Sequence, residues 1–189
     1  MKPINNWENV KAAGSIETLP AGAYVCDIKQ AVEKQNKVAG THLEISFEVC
    51  EGAYKDFFGN DYRNQTREDK FWRGVIRQNV PNESSPKYEM QSRFFKAFIE
   101  CVESSNPGYH WDWNEAGLKG KKIGVVFGER EKQSQTGNIY VVTDAVEVID
   151  VADARNGKFK MPEKKVVQPT ANAFGGFAAM PSNSDELPF

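Results

Sequence analysis

The sequence predicts a mainly β fold: a five-stranded barrel with one helix between its third and fourth strands, followed by a tail that stays outside the core. Three observations carry this. Five stretches alternate apolar and polar residues with the period of a half-buried strand, and one stretch between the third and fourth spaces its apolar residues as a helix does. From Val166 onward the composition turns to Pro, Thr, Ala, Asn, Gly and Ser.

The first strand is expected near 22–32, where Tyr24, Cys26 and Ile28 alternate with Val25, Asp27 and Lys29. A polar turn at 35–40 leads into the clearest alternation of the chain, Leu43, Ile45, Phe47 and Val49 against His42, Glu44, Ser46 and Glu48. The two strands should pair as a hairpin. Residues 51–69 are rich in Gly, Asn, Asp and aromatics without regular spacing, so they read as a long loop. A third strand is expected from Phe71 to Val80, with Phe71, Arg73, Val75 and Arg77 on one face and Trp72, Gly74 and Ile76 on the other. Ser85-Pro86 supplies an N-cap and a proline at the first helical position. Phe94, Phe95, Phe98, Ile99 and Val102 then share one helical face, and Asn106-Pro107-Gly108 stops the helix. Two last strands are expected, Lys121–Glu131 and Ile139–Asp150, joined through Thr136-Gly137-Asn138. Gly124 and Gly128 mark a bend or a close backbone approach on the fourth. This order is that of the oligonucleotide-binding (OB) fold, whose central strand face and flanking loops hold single strands or sugars. The expected division is an N-terminal extension at 1–19, the barrel at 20–165, and a disordered tail at 166–189 that has too little apolar surface to offset its ordering entropy.

Composition narrows the function. Of 189 residues, 40% are hydrophobic and 26% charged, enough for a core, yet no apolar run reaches the length of a membrane span. The first residues contain no apolar stretch of a secretory signal, which points to the cytoplasm. Cys26, Cys50 and Cys101 fit neither a disulfide framework nor zinc-ligand spacing, so reduced thiols are expected. The 24 basic and 26 acidic residues give a net charge of -2, at face value an argument against a nucleic-acid partner. Both excess acids, Asp185 and Glu186, belong to the tail, which has no Lys or Arg. The body is electrically balanced.

The tail ends Asp185-Glu186-Leu187-Pro188-Phe189. Two acids followed by an apolar anchor that carries the α-carboxylate suit a partner with a small apolar pocket and a basic rim. This tip resembles that of bacterial and phage single-stranded DNA-binding proteins, which join an OB domain through a low-complexity linker to an acidic tip ending in Pro-Phe. The body is similar to a family of phage-encoded proteins held to bind single strands, through Lys70-Phe71-Trp72-Arg73-Gly74-Val75, through Asn106-Pro107-Gly108-Tyr109-His110-Trp111-Asp112-Trp113 and through residues 118–127. The resemblance implies coating of single-stranded DNA in the cytoplasm of a host bacterium, with replication, recombination and repair proteins recruited by Asp185, Glu186, Leu187, Pro188 and Phe189. Monomer and homo-oligomer both remain open. The stacking positions of the cellular domain do not carry over, because the body does not match it closely.

The DNA surface therefore comes from residue types. Binding without sequence preference needs aromatic faces for bases and cations along the backbone. Residues 54–77 supply Tyr54, Phe57, Phe58, Tyr62, Phe71 and Trp72 interleaved with Lys55, Arg63, Arg67, Lys70, Arg73 and Arg77. Trp72 with Arg73 and Arg77 is the preferred contact. Lys119, Lys121, Lys122 and Arg130, with Lys132, would form a neighbouring basic wall. Trp111 and Trp113, among acids, are expected to pack against the barrel. Catalysis has little support: His42 and His110 lack ligand partners, and no phosphate loop or nucleophile elbow is present. No enzymatic activity and no cofactor are expected. Two alternatives remain, a non-enzymatic protein that mimics the tip to divert host repair factors, and a nuclease using Asp61 with Glu68-Asp69-Lys70 to hold a divalent metal.

Overall fold

The structure, a computed structural model, describes residues 18–36, 40–134 and 136–167. The N-terminal extension through residue 17, and the tail from 168 with its acidic tip, lie outside the described residues. The chain is mainly β. The strands β1 (Gly22–Asn36), β2 (Gly40–Val49), β3 (Val75–Asn79), β4 (Lys122–Gln133) and β5 (Ile139–Ile149) form one sheet in the order β3-β2-β1-β4-β5, every ladder antiparallel. Helix α1 (Phe57–Asn64) follows β2, α2 (Tyr88–Ser105) links β3 to β4 with a short 3-10 turn at Glu115–Leu118, and α3 (Val151–Asn156) follows β5.

The alternation of β2 sets the core. Leu43, Ile45, Phe47 and Val49 are all buried and meet Cys26, Ile28 and Ala31 of β1, and Ile123, Val125 and Phe127 of β4. Each of the Leu, Ile, Val and Phe side chains contributes about 1.5–3 kcal/mol when fully buried. A bulge at Lys29 keeps β1 in phase: Ile28 stands opposite Phe47 and Ala31 opposite Ile45. Helix α2 covers the cluster with Phe95, Phe98, Ile99 and Val102.

Several expectations need correction. The barrel is not closed: β3 and β5, the two outer strands, approach without a hydrogen-bonded ladder. The cause lies in β3, which is five residues long and not ten. Gly74 is buried, its carbonyl accepts from Phe47 N (2.8 Å), and the indole of Trp72 turns inward to donate to the Phe47 carbonyl (3.0 Å). A Cβ at Gly74 would fall 2.5 Å from the Phe47 oxygen, so the chain enters the strand only because this residue lacks one. The loop expected at 51–69 contains α1. Helix α2 starts at Tyr88, not at Ser85-Pro86, because Asn82 and Ser85 side chains accept from Ser84 N (3.0 Å) and Lys87 N (3.2 Å) and build a turn there. Phe94, placed by its spacing on the buried face, is 63% exposed at the edge of the stripe.

The two close-approach glycines of β4 have physical partners. A Cβ at Gly124 would lie 2.9 Å from Ala154 of α3, and one at Gly128 would lie 2.9 Å from Pro162. Pro162 belongs to a strap, residues 160–167, that returns along β4. Lys165 bridges Arg130 there, donating to Glu129 O (3.0 Å) and accepting from Glu131 N (2.8 Å). The folded body thus extends to Val167, whose N–H donates to the Glu131 carboxylate (3.3 Å). Cys26, Cys50 and Cys101 are free thiols, the first buried and the others half-buried, and burial pushes Cys50 and Cys101 up to about 11. Among the described residues no helix is long and apolar enough to cross a membrane.

Candidate nucleic-acid interface

Helix α1 carries the aromatic and basic window, and a residue far away in sequence holds it in place. Its N-cap, Asp56, is left-handed (φ 60°) and makes no side-chain cap bond. The exposed N–H groups of the first turn are met instead by Glu48 of β2. Its carboxylate, itself buried, accepts from Val49 N (3.0 Å), Phe58 N (2.9 Å) and Gly59 N (2.5 Å). A negative group at a helix N-terminus is favourable on dipole grounds as well. No local signal announces this cap, since Glu48 reads in sequence as one more outward residue of β2.

The aromatics of the window then divide. Phe58 is buried, stacked with Phe127 (6.2 Å, 24°) and edge-on to Phe47. Phe57 and Trp72 pack half-buried against the same cluster, and Tyr54 caps its rim edge-on to Tyr24. Tyr62 and Phe71 face outward at 39% and 49% exposure. Each has a cation above its ring, Lys70 Nζ at 6.0 Å from Tyr62 and the Arg67 guanidinium at 5.0 Å from Phe71. Gln65 fixes Phe71 from both sides of its backbone, donating to Phe71 O (2.9 Å) and accepting from Phe71 N (3.1 Å). Lys70 also donates to Arg63 O (3.2 Å), and Arg63 to Asn60 Oδ1 (2.6 Å). The segment from α1 to Phe71 is a platform of two exposed rings lined by Arg63, Arg67 and Lys70.

The trio Trp72, Arg73 and Arg77 is not gathered on this platform. Trp72 is engaged inward, and Arg73 forms a two-bond pair with Asp61, one bond at 2.6 Å. Partial burial lowers the pKa of Arg73. Arg77 lies on the outer face of β3 and shares Glu44 (3.0 Å) with Lys34 (2.5 Å), which hold that carboxyl below the usual range, Lys34 first.

The basic wall is spread and largely paired. Lys122 and Arg155 both grip Glu51 (3.1 and 2.6 Å), Arg130 and Lys132 both reach Asp144 (2.5 and 3.7 Å), and Lys121 sits over the Tyr109 ring (4.4 Å). Lys119 is exposed. Trp111 is half-buried against the core, whereas Trp113 is 80% exposed and stacks by one face on Phe95 of α2 (6.4 Å, 13°). The acids of the metal-type pattern are engaged by arginines, Asp61 by Arg73 and Asp69 by Arg67 (2.6 Å). Among the described residues no group of three or more His, Cys, Asp or Glu is placed to hold a metal ion. Compared with protein-family models and with curated proteins, the chain finds no match.

Proposed function

We propose that this protein binds single-stranded DNA without sequence preference, in the manner of the phage-type single-strand-binding proteins its sequence resembles, and recruits replication and recombination proteins through residues 185–189. The observation that carries the reading is the pair of exposed rings, Tyr62 and Phe71, each under a cation, on a platform fixed to a β sheet. Bases stack on such rings whatever their identity, and the neighbouring cations meet the phosphates. The sheet supports the same reading. Three consecutive neighbouring strands, with the fourth returning beside the first, follow the Greek-key order, and a helix between β3 and β4 with a gap between β3 and β5 is compatible with a partly open OB barrel.

A second reading draws on a different observation. Arg73, Arg77, Lys122 and Arg130 are all paired with carboxylates, which favours a protein that uses only its tip, mimicking the recruiting signal to divert host factors. One titration separates the two. Labelled oligo-dT, followed by polarisation with and without magnesium, should bind in a salt-dependent way and in preference to duplex. Equal binding of duplex, or none of either, defeats the first reading, and oligonucleotide loss only with magnesium would point to a nuclease. Removal of residues 185–189 should spare DNA binding and abolish capture of host replication proteins.

A further inference from the structure

The segment that joins α2 to β4 is acidic and presents one ring to solvent. Between Ala97 and Leu118 the chain has no Lys or Arg and four carboxylates, Glu100, Glu103, Asp112 and Glu115. Lys96 meets Glu100 (3.6 Å), but among the described residues no Lys or Arg pairs with the other three, and Glu103 has only His110, at 4.0 Å. The segment is fixed at both ends. Asn106 donates to Val102 O (2.7 Å) and Lys122 O (2.8 Å) and accepts from Lys122 N (2.8 Å), while Glu103 accepts from Trp111 N (2.7 Å). Further on, Asp112 accepts from Asn114 N (3.2 Å) and Asn114 from Ala116 N (3.1 Å). Burial, then the charges of Asp112 and Glu103, push the Tyr109 phenol above its ordinary value, so both carboxylates act on this segment. In its middle Trp113 takes a left-handed backbone (φ 64°), unfavourable for a bulky residue, and holds its indole 80% exposed. Its ring rests on Phe95 and meets Trp111 at 6.2 Å. Backbone conformations of this kind persist only where the surroundings over-determine them, and they concentrate at ligand clamps.

Three other rings already hold a cation of this chain: Lys70 lies over Tyr62, Arg67 over Phe71 and Lys121 over Tyr109. Trp113 is of the residue type that attracts a cation most strongly, yet among the described residues none lies over it. We propose that Trp113 is the docking point for an arginine side chain of a partner protein, with the guanidinium on the exposed indole and Asp112 and Glu103 supplying the opposite charge. Arginine suits the site better than lysine, because its planar head stacks on a ring and meets a carboxylate in the same pose. A nucleic acid suits it worse, because its phosphates would face three carboxylates that no Lys or Arg of this chain neutralises. The acidic segment is thus a protein-docking surface apart from the platform of Tyr62 and Phe71. The inference stands whether or not that platform binds DNA.

A labelled peptide of alternating Gly and Arg, titrated with the full chain and followed by polarisation, tests it beside peptides that carry Lys or Glu in place of Arg. The Arg peptide should bind several-fold more tightly than the Lys peptide and should shift the indole N–H resonance of Trp113, identified as the one that Trp113→Gly lacks. Glycine adopts the left-handed backbone freely, so Trp113→Gly should keep the melting temperature within a few degrees while lowering affinity for the Arg peptide about fivefold. Asp112→Asn leaves the ring in place and should lower that affinity about twofold. Oligo-dT affinity should be the same in Trp113→Gly as in the natural protein. Binding of the Lys or Glu peptide as tight as that of the Arg peptide overturns the proposal, and so does an unchanged affinity in Trp113→Gly. A Trp113 resonance that moves with oligo-dT and not with the Arg peptide overturns it too, since a nucleic acid would then be the occupant.

Discussion

The platform of α1 and the wall of β4 are built from the same residue types and differ in what those residues are free to do. On the platform Tyr62 and Phe71 are exposed rings with Lys70 and Arg67 above them, and Tyr62 also meets Trp72 (6.0 Å). Along β4 the cations are turned to carboxylates, Lys122 to Glu51 and Arg130 to Asp144. A count of charges treats the two regions alike. What separates them is which cations are paired: among the described residues Arg63 and Lys70 of the platform meet no carboxylate, Arg67 meets Asp69, and Lys122 and Arg130 of the wall are both paired.

The largest effect should come from the rings. Tyr62→Ala with Phe71→Ala removes two stacking surfaces worth about 1–3 kcal/mol each, so oligo-dT affinity measured by polarisation should drop by about a hundredfold or more. An unchanged affinity would remove the platform from the DNA path. Next is Glu48→Ala, which strips the first turn of α1 of its acceptor. Thermal denaturation should report a loss of about 2 kcal/mol, with DNA affinity weakened as α1 loosens. If stability falls while affinity stays, α1 does not position the rings. For the wall, Lys122→Ala with Arg130→Ala should weaken oligo-dT binding by less than about threefold, because each residue already spends its charge on a neighbour. A loss as large as that of the ring variant would erase the contrast between the regions.

The smallest effect is a pH dependence within the wall. Arg155, then Lys122, hold the Glu51 carboxyl well below the usual range, at about 2. A depressed carboxylate contributes stability that is fully present above its ordinary value near 4.5 and lost as pH falls toward 2. The side chain is one-third exposed, so screening limits the contribution to about 1 kcal/mol or less. The difference in melting temperature between the natural protein and Glu51→Gln should therefore shrink between pH 4.5 and pH 2. A constant difference would mean that the pairs contribute nothing.

Much of the sheet was legible in the sequence because its signals are local. The alternation in β2, the hairpin to β1, the helical stripe ending at Asn106 and the two last strands are written within a few residues of where they act. Helix α1 was not, because its cap comes from Glu48, ten residues before Phe58, and because Asp56, which occupies the cap position, makes no side-chain cap bond. The short β3 and the open seam follow from Gly74 and Trp72 turning toward Phe47, a contact between residues 25 or more apart. Tyr62, Arg67 and Lys70 could be picked by residue type. Which cations are already spent could not, since Arg77 meets Glu44 and Arg155 meets Glu51 across 33 and 104 positions.

The strap along β4 also decides where this chain can be cut. Lys165 occupies the strand edge that β1 leaves bare beyond Gly22, and a row of unpaired N–H and C=O groups is a template for another chain. A protease or a stop codon acting after Val167 would trim only the tail. One acting a few residues earlier would expose Glu129 and Glu131 backbone groups and bare Gly128 where Pro162 had covered it. The shortened protein would then be prone to self-association, so the safe boundary lies after Val167, two residues later than the change in composition at Val166 suggests.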